Sequence, residues 1–236
     1  MPPFPLPLAA KPSMPLRPPV QDEASIRALS IARYRQRAAA YDSTCGPTWP
    51  IRERCVAALQ LQPGESVLDV GCGTGLSFEL LRDGVGPGGR VVGFDQSPEM
   101  LGQARQRVAR AGWANVEVVE EAAQGLALDE RFDALFFHYT HDILQSPTAV
   151  AALLARAKPG ARVAIAGVKA FPWYLAWLNP WVYAKNRAYN GSPGGLKAPW
   201  RHIAGRLDGF RREDTQWGMG YLASGRVRPD APGMAA

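Results

Sequence analysis

From position 66 onward, short apolar runs alternate with stretches whose apolar residues recur every three or four positions. Residues 66–70, 90–94, 116–119, 132–138 and 162–168 are the apolar runs. They have the length and content of strands buried on both faces of a parallel sheet. Between them, 74–82, 97–111 and 148–157 carry a helical period, the last stopped by Pro159-Gly160. Ser97-Pro98-Glu99 is a helix start, with Ser97 as cap and Pro98 at the first helical position. Met100, Ala104, Val108 and Ala111 would be its inward face. Upstream, Ile26, Leu29 and Ala32 predict a helix over 22–41, and Ile51, Cys55 and Ala58 predict one over 51–61, cut by Pro63-Gly64. Strand and helix repeating in this way predict an α/β fold with a doubly wound, mostly parallel sheet. Beyond 169 the rhythm breaks. Residues 171–190 are rich in Trp, Tyr and Pro, 199–207 predict another helix, and 210–217 with 219–227 predict an antiparallel hairpin. That hairpin brings the sheet to seven strands. The main domain is then 50–228 with an aromatic insertion at 171–198. Before it come a proline-rich disordered arm (1–20) and a helical lid (21–49), and a flexible tail (229–236) follows.

Composition narrows the class. The chain has 236 residues, 47% hydrophobic and 20% charged, which suits one α/β domain with an appendage. The formal charge is +6, but the cations are scattered along helices, as at Arg105, Arg107 and Arg110. A solvated helix face explains them better than a nucleic-acid patch. Cys45, Cys55 and Cys72 form no CxxC pair and no metal-ligand spacing, so no metal is expected and a reducing compartment is. No signal peptide opens the chain and no apolar run reaches ~18 residues, so the expected location is cytoplasmic.

The candidate chemistry lies where the first strand ends. In an open parallel sheet, ligands bind beyond the carboxyl ends of the strands, where strand order reverses. The first strand runs into Val67-Leu68-Asp69-Val70-Gly71-Cys72-Gly73-Thr74-Gly75. Gly71 and Gly73 let the backbone turn sharply and approach a ligand, and a helix starting near Thr74 would aim its free N–H groups at the same space. Asp95 ends the second strand twenty residues after Gly75, and its two oxygens suit the two hydroxyls of a ribose. A dinucleotide site wants a small residue at position 76, whereas this chain has Leu76 and the spacing GxGxG. Asp69, two residues before the first glycine, would repel a pyrophosphate but suits a ligand carrying an ammonium and a sulfonium.

VLDVGCGTG at 67–75, VVGFDQSPEML at 91–101, RFDALFFHYTHDIL at 131–144 and KPGARVAIAG at 158–167 resemble the motifs of class I S-adenosylmethionine-dependent methyltransferases. The likeness covers roughly 30–228. The Tyr41-Asp42 segment gives it the look of the quinone and phospholipid branch. The resemblance implies a Rossmann-like sheet and S-adenosylmethionine as cofactor. It implies that Asp69, Gly71 and Gly73 line the methionine portion with His138, that Gly75 belongs to the same cofactor-binding turn, that Asp95 holds the ribose, and that Gln96 and Met100 lie near the adenine. The chain departs from the family at Ala122, in Glu121-Ala122-Ala123, where an acid near the adenine is usual. Glu120, Glu121 or backbone groups would have to replace it.

Methyl transfer from a sulfonium is an in-line displacement that needs a positioned nucleophile, and a base only if that nucleophile loses a proton. Two of the three histidines fall in His138-Tyr139-Thr140-His141-Asp142, at the end of the fourth strand. His141 with Asp142 is read either as a substrate-facing base with an acidic neighbour or as loop bonding and helix capping. Tyr41 would belong to the lid. The stretch 171–183 holds three Trp and two Tyr. It reads as a wall of an apolar substrate pocket, as an interfacial membrane anchor helped by Lys185 and Arg187, or as core or dimer contact. The sequence thus points to methyl transfer onto a hydrophobic or amphipathic small molecule or lipid. A membrane-associated phospholipid or quinone methyltransferase and an inactive cofactor-binding partner stay open, as do peripheral membrane contact and a homodimer. An oxidoreductase and nucleic-acid modification lack support.

Overall fold

In the computed structural model, residues 42–43, 45–186 and 195–229 are described. The proline-rich arm, the first predicted helix with Tyr41, positions 187–194 of the aromatic insertion and the end of the tail lie outside them. Seven strands form one sheet: β1 Ser66–Val70, β2 Arg90–Asp95, β3 Val116–Glu120, β4 Phe132–His138, β5 Ala157–Val168, β6 Leu207–Thr215 and β7 Gly220–Val227. Their order is β3-β2-β1-β4-β5-β7-β6. β1 to β5 are parallel, and β7 alone runs antiparallel, between β5 and β6. The helices are α1 Trp49–Ala58, α2 Phe78–Val85, α3 Pro98–Ala111, α4 His141–Gln145, α5 Pro147–Ala155 and α6 Asn179–Asn186. None of the described helices is long and apolar enough to cross a membrane.

The apolar runs lack polar alternation because both sheet faces are covered. Leu68, Val70, Val92, Phe94, Leu135 and Phe137 point into one core layer, closed by Val150, Leu153 and Leu154 of α5. Their chain neighbours Val67, Val91, Ala134 and Phe136 point into the other, closed by Cys55 of α1, Phe78 and Leu81 of α2, and Leu101 and Ala104 of α3. This period of two through continuous apolar sequence is what a doubly covered sheet requires. β1 lies at the centre with β2 on one side and β4 on the other, so the strand order reverses at its carboxyl end.

Four expectations shift. α2 begins at Phe78 rather than near Thr74, because Gly75 sits at φ +75° and cannot continue a right-handed helix. The expected helix over 199–207 is a set of turns ending in the single 3-10 turn Ala204–Arg206, because β6 already starts at Leu207, where the backbone turns extended. β6 itself starts earlier than expected because a bulge between Asp208 and Arg211, with Gly209 at φ +59°, hides the alternation. Ala111 is exposed rather than inward, and Leu101 takes its place among the buried residues of α3.

Candidate active site

The carboxyl ends of β1, β2 and β4 converge on one place. Gly71 follows β1 at φ +64°, and a Cβ there would lie 2.8 Å from Thr140 Cγ2, so the turn after β1 packs directly under the turn after β4. Gly73 at φ +56° has open space where a Cβ would be. The loop is fixed from below: Cys72 N–H donates to Phe94 O (2.9 Å), and Gly73 N–H donates to Asp95 Oδ2 (3.0 Å). Asp95 Oδ1 accepts from Ser97 N–H (2.9 Å), and Ser97 Oγ caps α3 by accepting from Met100 N–H (3.5 Å). Burial pushes the Asp95 pKa up, against the pull of the N–H groups of Ser97, Gly73 and Gln96. Both oxygens keep further acceptor capacity, as a ribose diol needs.

Asp69 lies beneath this loop, 2% exposed, and its Oδ2 has no hydrogen-bond partner. Burial raises its pKa to about 7, with Arg52 pulling it down and Asp95 pushing it up. Arg52 of α1 was not singled out by the sequence. It is 5% exposed, its Nη1 donates to Ser77 Oγ at the start of α2, and its Nε has no hydrogen-bond partner. His138 ends β4 with its ring stacked on Phe136 and its Nε2 buried without a partner. Desolvation, aided by Arg52, holds its pKa well below the usual imidazole value, so the ring is neutral at pH 7.

A buried acceptor, a buried guanidinium N–H and a neutral imidazole, all unsatisfied around an open glycine turn, are what a missing polar ligand leaves behind. The methionine end of S-adenosylmethionine fits them. Asp69 would take its ammonium, and Arg52 is a donor of the right charge for its carboxylate. At the other end Met100, Ala122 and Ala123 are buried, and Gln96 is half-buried beside Asp95. Glu121 N–H donates to Asp95 O (3.1 Å). Glu120 is exposed and pairs with Arg105 (3.7 Å), which leaves Glu121 as the half-buried acid next to Ala122.

His141 is the first residue of α4 and is 7% exposed, with Asp142 half-buried beside it in the first turn. Tyr139, between the two histidines, is held at φ +60°, and its hydroxyl donates to Gln216 Oε1 (3.4 Å) on the turn between β6 and β7. Tyr41 lies outside the described residues, but Asp42 beside it reaches the glycine loop. It accepts from Thr74 Oγ1 (2.6 Å) and from Arg107 Nη2 (2.6 Å), while Arg107 Nε donates to Thr74 O (3.1 Å). The expected helix N-terminus does not line the site, because α2 starts three residues beyond Gly75.

Residues 61–219 match the family described as methyltransferase domain. The 2-phytyl-1,4-naphtoquinone methyltransferase of Synechococcus elongatus is 30% identical over 174 residues, which are 69% of this chain and 71% of that one. The malonyl-[acyl-carrier protein] O-methyltransferase of Serratia marcescens is 31% identical over 127 residues, 54% of this chain and 48% of that one. The first curated relatives are matched over only 15–48% of their own length. Among solved structures, the N-methyltransferase NodS from Bradyrhizobium japonicum, in complex with S-adenosyl-L-homocysteine, superposes with a TM-score of 0.63 at 19% identity, covering 84% of this chain and 98% of that one. The glycine turn, Asp69, Asp95 and the strand order agree with these matches, and the chain belongs to the methyltransferase-domain family, with the Rossmann-like fold and the cofactor, S-adenosylmethionine, of the class I methyltransferases.

Proposed function

We propose that the protein transfers a methyl group from S-adenosylmethionine to a hydrophobic or amphipathic small molecule. The observation that carries this reading is the unsatisfied Asp69 carboxylate beneath the open turn at Gly73. When bound, the cofactor supplies an electrophilic methyl on a sulfonium, and transfer to the acceptor leaves a neutral thioether. Asp69 and Arg52 hold the amino-acid end, Asp95 holds the ribose, and Gln96, Met100 and Ala122 border the adenine. The lid reading for the segment before α1 is supported by Asp42, which ties that segment to Thr74 and Arg107.

His138 is a poor base, since its proton affinity is depressed. Where the acceptor must lose a proton, His141 with Asp142 is our candidate base, a reading supported by their position at the start of α4 just beyond the carboxyl end of β4. An apolar acceptor is supported by the exposed aromatic side chains on the same rim and by the named substrate of the Synechococcus relative, a phytyl naphthoquinone. Calorimetric titration with S-adenosylmethionine and with NADH tests the cofactor, and binding of NADH alone would overturn the reading. A methyl-transfer screen over quinones, lipids, phenols and amines then tests the acceptor. A turnover confined to water-soluble acceptors would refute its apolar character. His141→Asn is expected to lower kcat with unchanged S-adenosylhomocysteine affinity if a base is used.

A further inference from the structure

Five large hydrophobic side chains stand exposed among the described residues, and all five are Trp or Tyr: Trp173 (87% exposed), Tyr174 (62%), Trp177 (74%), Trp181 (52%) and Trp217 (96%). They come from two segments of chain that meet on one rim. The first leaves the carboxyl end of β5 and forms the 3-10 helix Trp173–Leu178 and then α6. The second is the turn between β6 and β7, whose Gly218 lies against Pro172, since a Cβ there would be 3.5 Å from Pro172 Cδ. Beneath them Ala170, Val182 and Leu196 make a small core, with Phe171 and Met219 packed against it.

Both segments are held firmly. Asn179 Oδ1 accepts from Phe171 N–H (2.7 Å), Lys169 N–H donates to Met219 O (2.7 Å), and the buried Lys169 ammonium pairs with Asp214 (3.1 Å). The aromatic side chains therefore project outward from a fixed platform. Trp217 is also in the left-handed region, at φ +59°, a strained conformation for a bulky residue. No burial offsets that strain, so an external contact is the physical reason to look for.

We propose that this rim docks on an anionic lipid bilayer and that the acceptor is taken from it. The part concerning the acceptor rests on the methyltransferase reading; the docking does not. Trp and Tyr are the side chains that settle at headgroup level, with an apolar ring and a polar edge. Charge agrees: from 170 to 205 the chain carries Lys185, Arg187, Lys197 and Arg201 and no acidic residue, whereas Lys169 is already paired with Asp214. Lys197 and Arg201 are exposed. Basic side chains beside an aromatic patch draw it to anionic headgroups. The patch shares the carboxyl rim with the glycine turn, so docking would present the active-site face to the membrane.

The test is co-sedimentation of the full chain with phosphatidylcholine vesicles, with and without phosphatidylglycerol. The wild type is expected to bind the anionic vesicles more tightly. The triple variant Trp173→Ala/Trp177→Ala/Trp217→Ala should lose about tenfold or more in partitioning, and Lys197→Glu/Arg201→Glu should lose the preference for phosphatidylglycerol. Both variants should keep wild-type affinity for S-adenosylhomocysteine, which shows that they are folded. A wild type that binds S-adenosylhomocysteine but neither vesicle overturns the docking and leaves the methyltransferase reading intact. So does equal binding by the triple variant, or a dimer in solution that the Trp substitutions dissolve without any vesicle binding.

Discussion

At the scale of single residues, Asp69 and Arg52 make the sharpest demands. Unfolded, Asp69 titrates near its ordinary 3.8; in the folded chain burial pushes it up to about 7. Between those values the folded chain holds the extra proton, so this residue's contribution to stability falls as pH rises through the window and levels off above about 7. Asp69→Asn removes that penalty. Its melting temperature should exceed that of the empty wild type at pH 8 and match it more closely at pH 5, while S-adenosylmethionine binding is lost. Ammonium and sulfonium charges beside Asp69 favour its ionised form, so the wild type should release close to one proton on binding at pH 6 and fewer above pH 8. Titration calorimetry in buffers of different ionisation heat measures this, and no release at pH 6 would count against the contact. Arg52 can be separated from the fold by comparing ligands. Arg52→Gln should weaken S-adenosylhomocysteine roughly ten- to hundredfold, the value of a charged hydrogen bond, and leave methylthioadenosine, which has no carboxylate, unchanged. An equal loss for both ligands would mean that Arg52 only supports α1 and α2.

At the scale of elements, the turn after β1 depends on the turn after β4. Gly71→Ala would force a side chain into φ +64° and against Thr140, at a cost of about 2 kcal/mol or more. Urea denaturation should show that loss, and because the same strain displaces the loop, cofactor affinity should fall with it. The strands and the glycine turn were legible in the sequence because burial on both faces leaves continuous apolar runs, and because Asp69 and Asp95 stand at fixed offsets from them. Other features depend on contacts between distant positions. Arg52 and Arg54 look alike in sequence, yet one is buried against Ser77, twenty-five residues away, while the other is exposed and paired with Glu213. The apolar period from 74 onward does not mark the start of α2, because Gly75 serves the turn and not the helix. The first residues of β6 are hidden in the sequence because its bulge breaks the period that identifies a strand.

At the scale of the whole molecule, the question is whether the two core layers and the cofactor site open together. Cys55 and Cys72 answer it, since both are buried and burial drives both thiols far above their ordinary pKa. In the folded state neither presents a thiolate, so alkylation reports opening of the structure. Cys72 lies in the glycine loop itself, whereas Cys55 lies on α1 in the core layer behind it. A ligand that binds only the folded state at a hundred times its dissociation constant stabilises it by about 2.7 kcal/mol, which slows labelling through global opening about a hundredfold. Because β1 ties the loop to the centre of the sheet, S-adenosylmethionine should slow alkylation of both cysteines by the same factor, as read by mass spectrometry of pulse-labelled protein. Protection of Cys72 alone would mean that the loop opens by itself, and the site would then be a locally mobile element rather than part of the cooperative core.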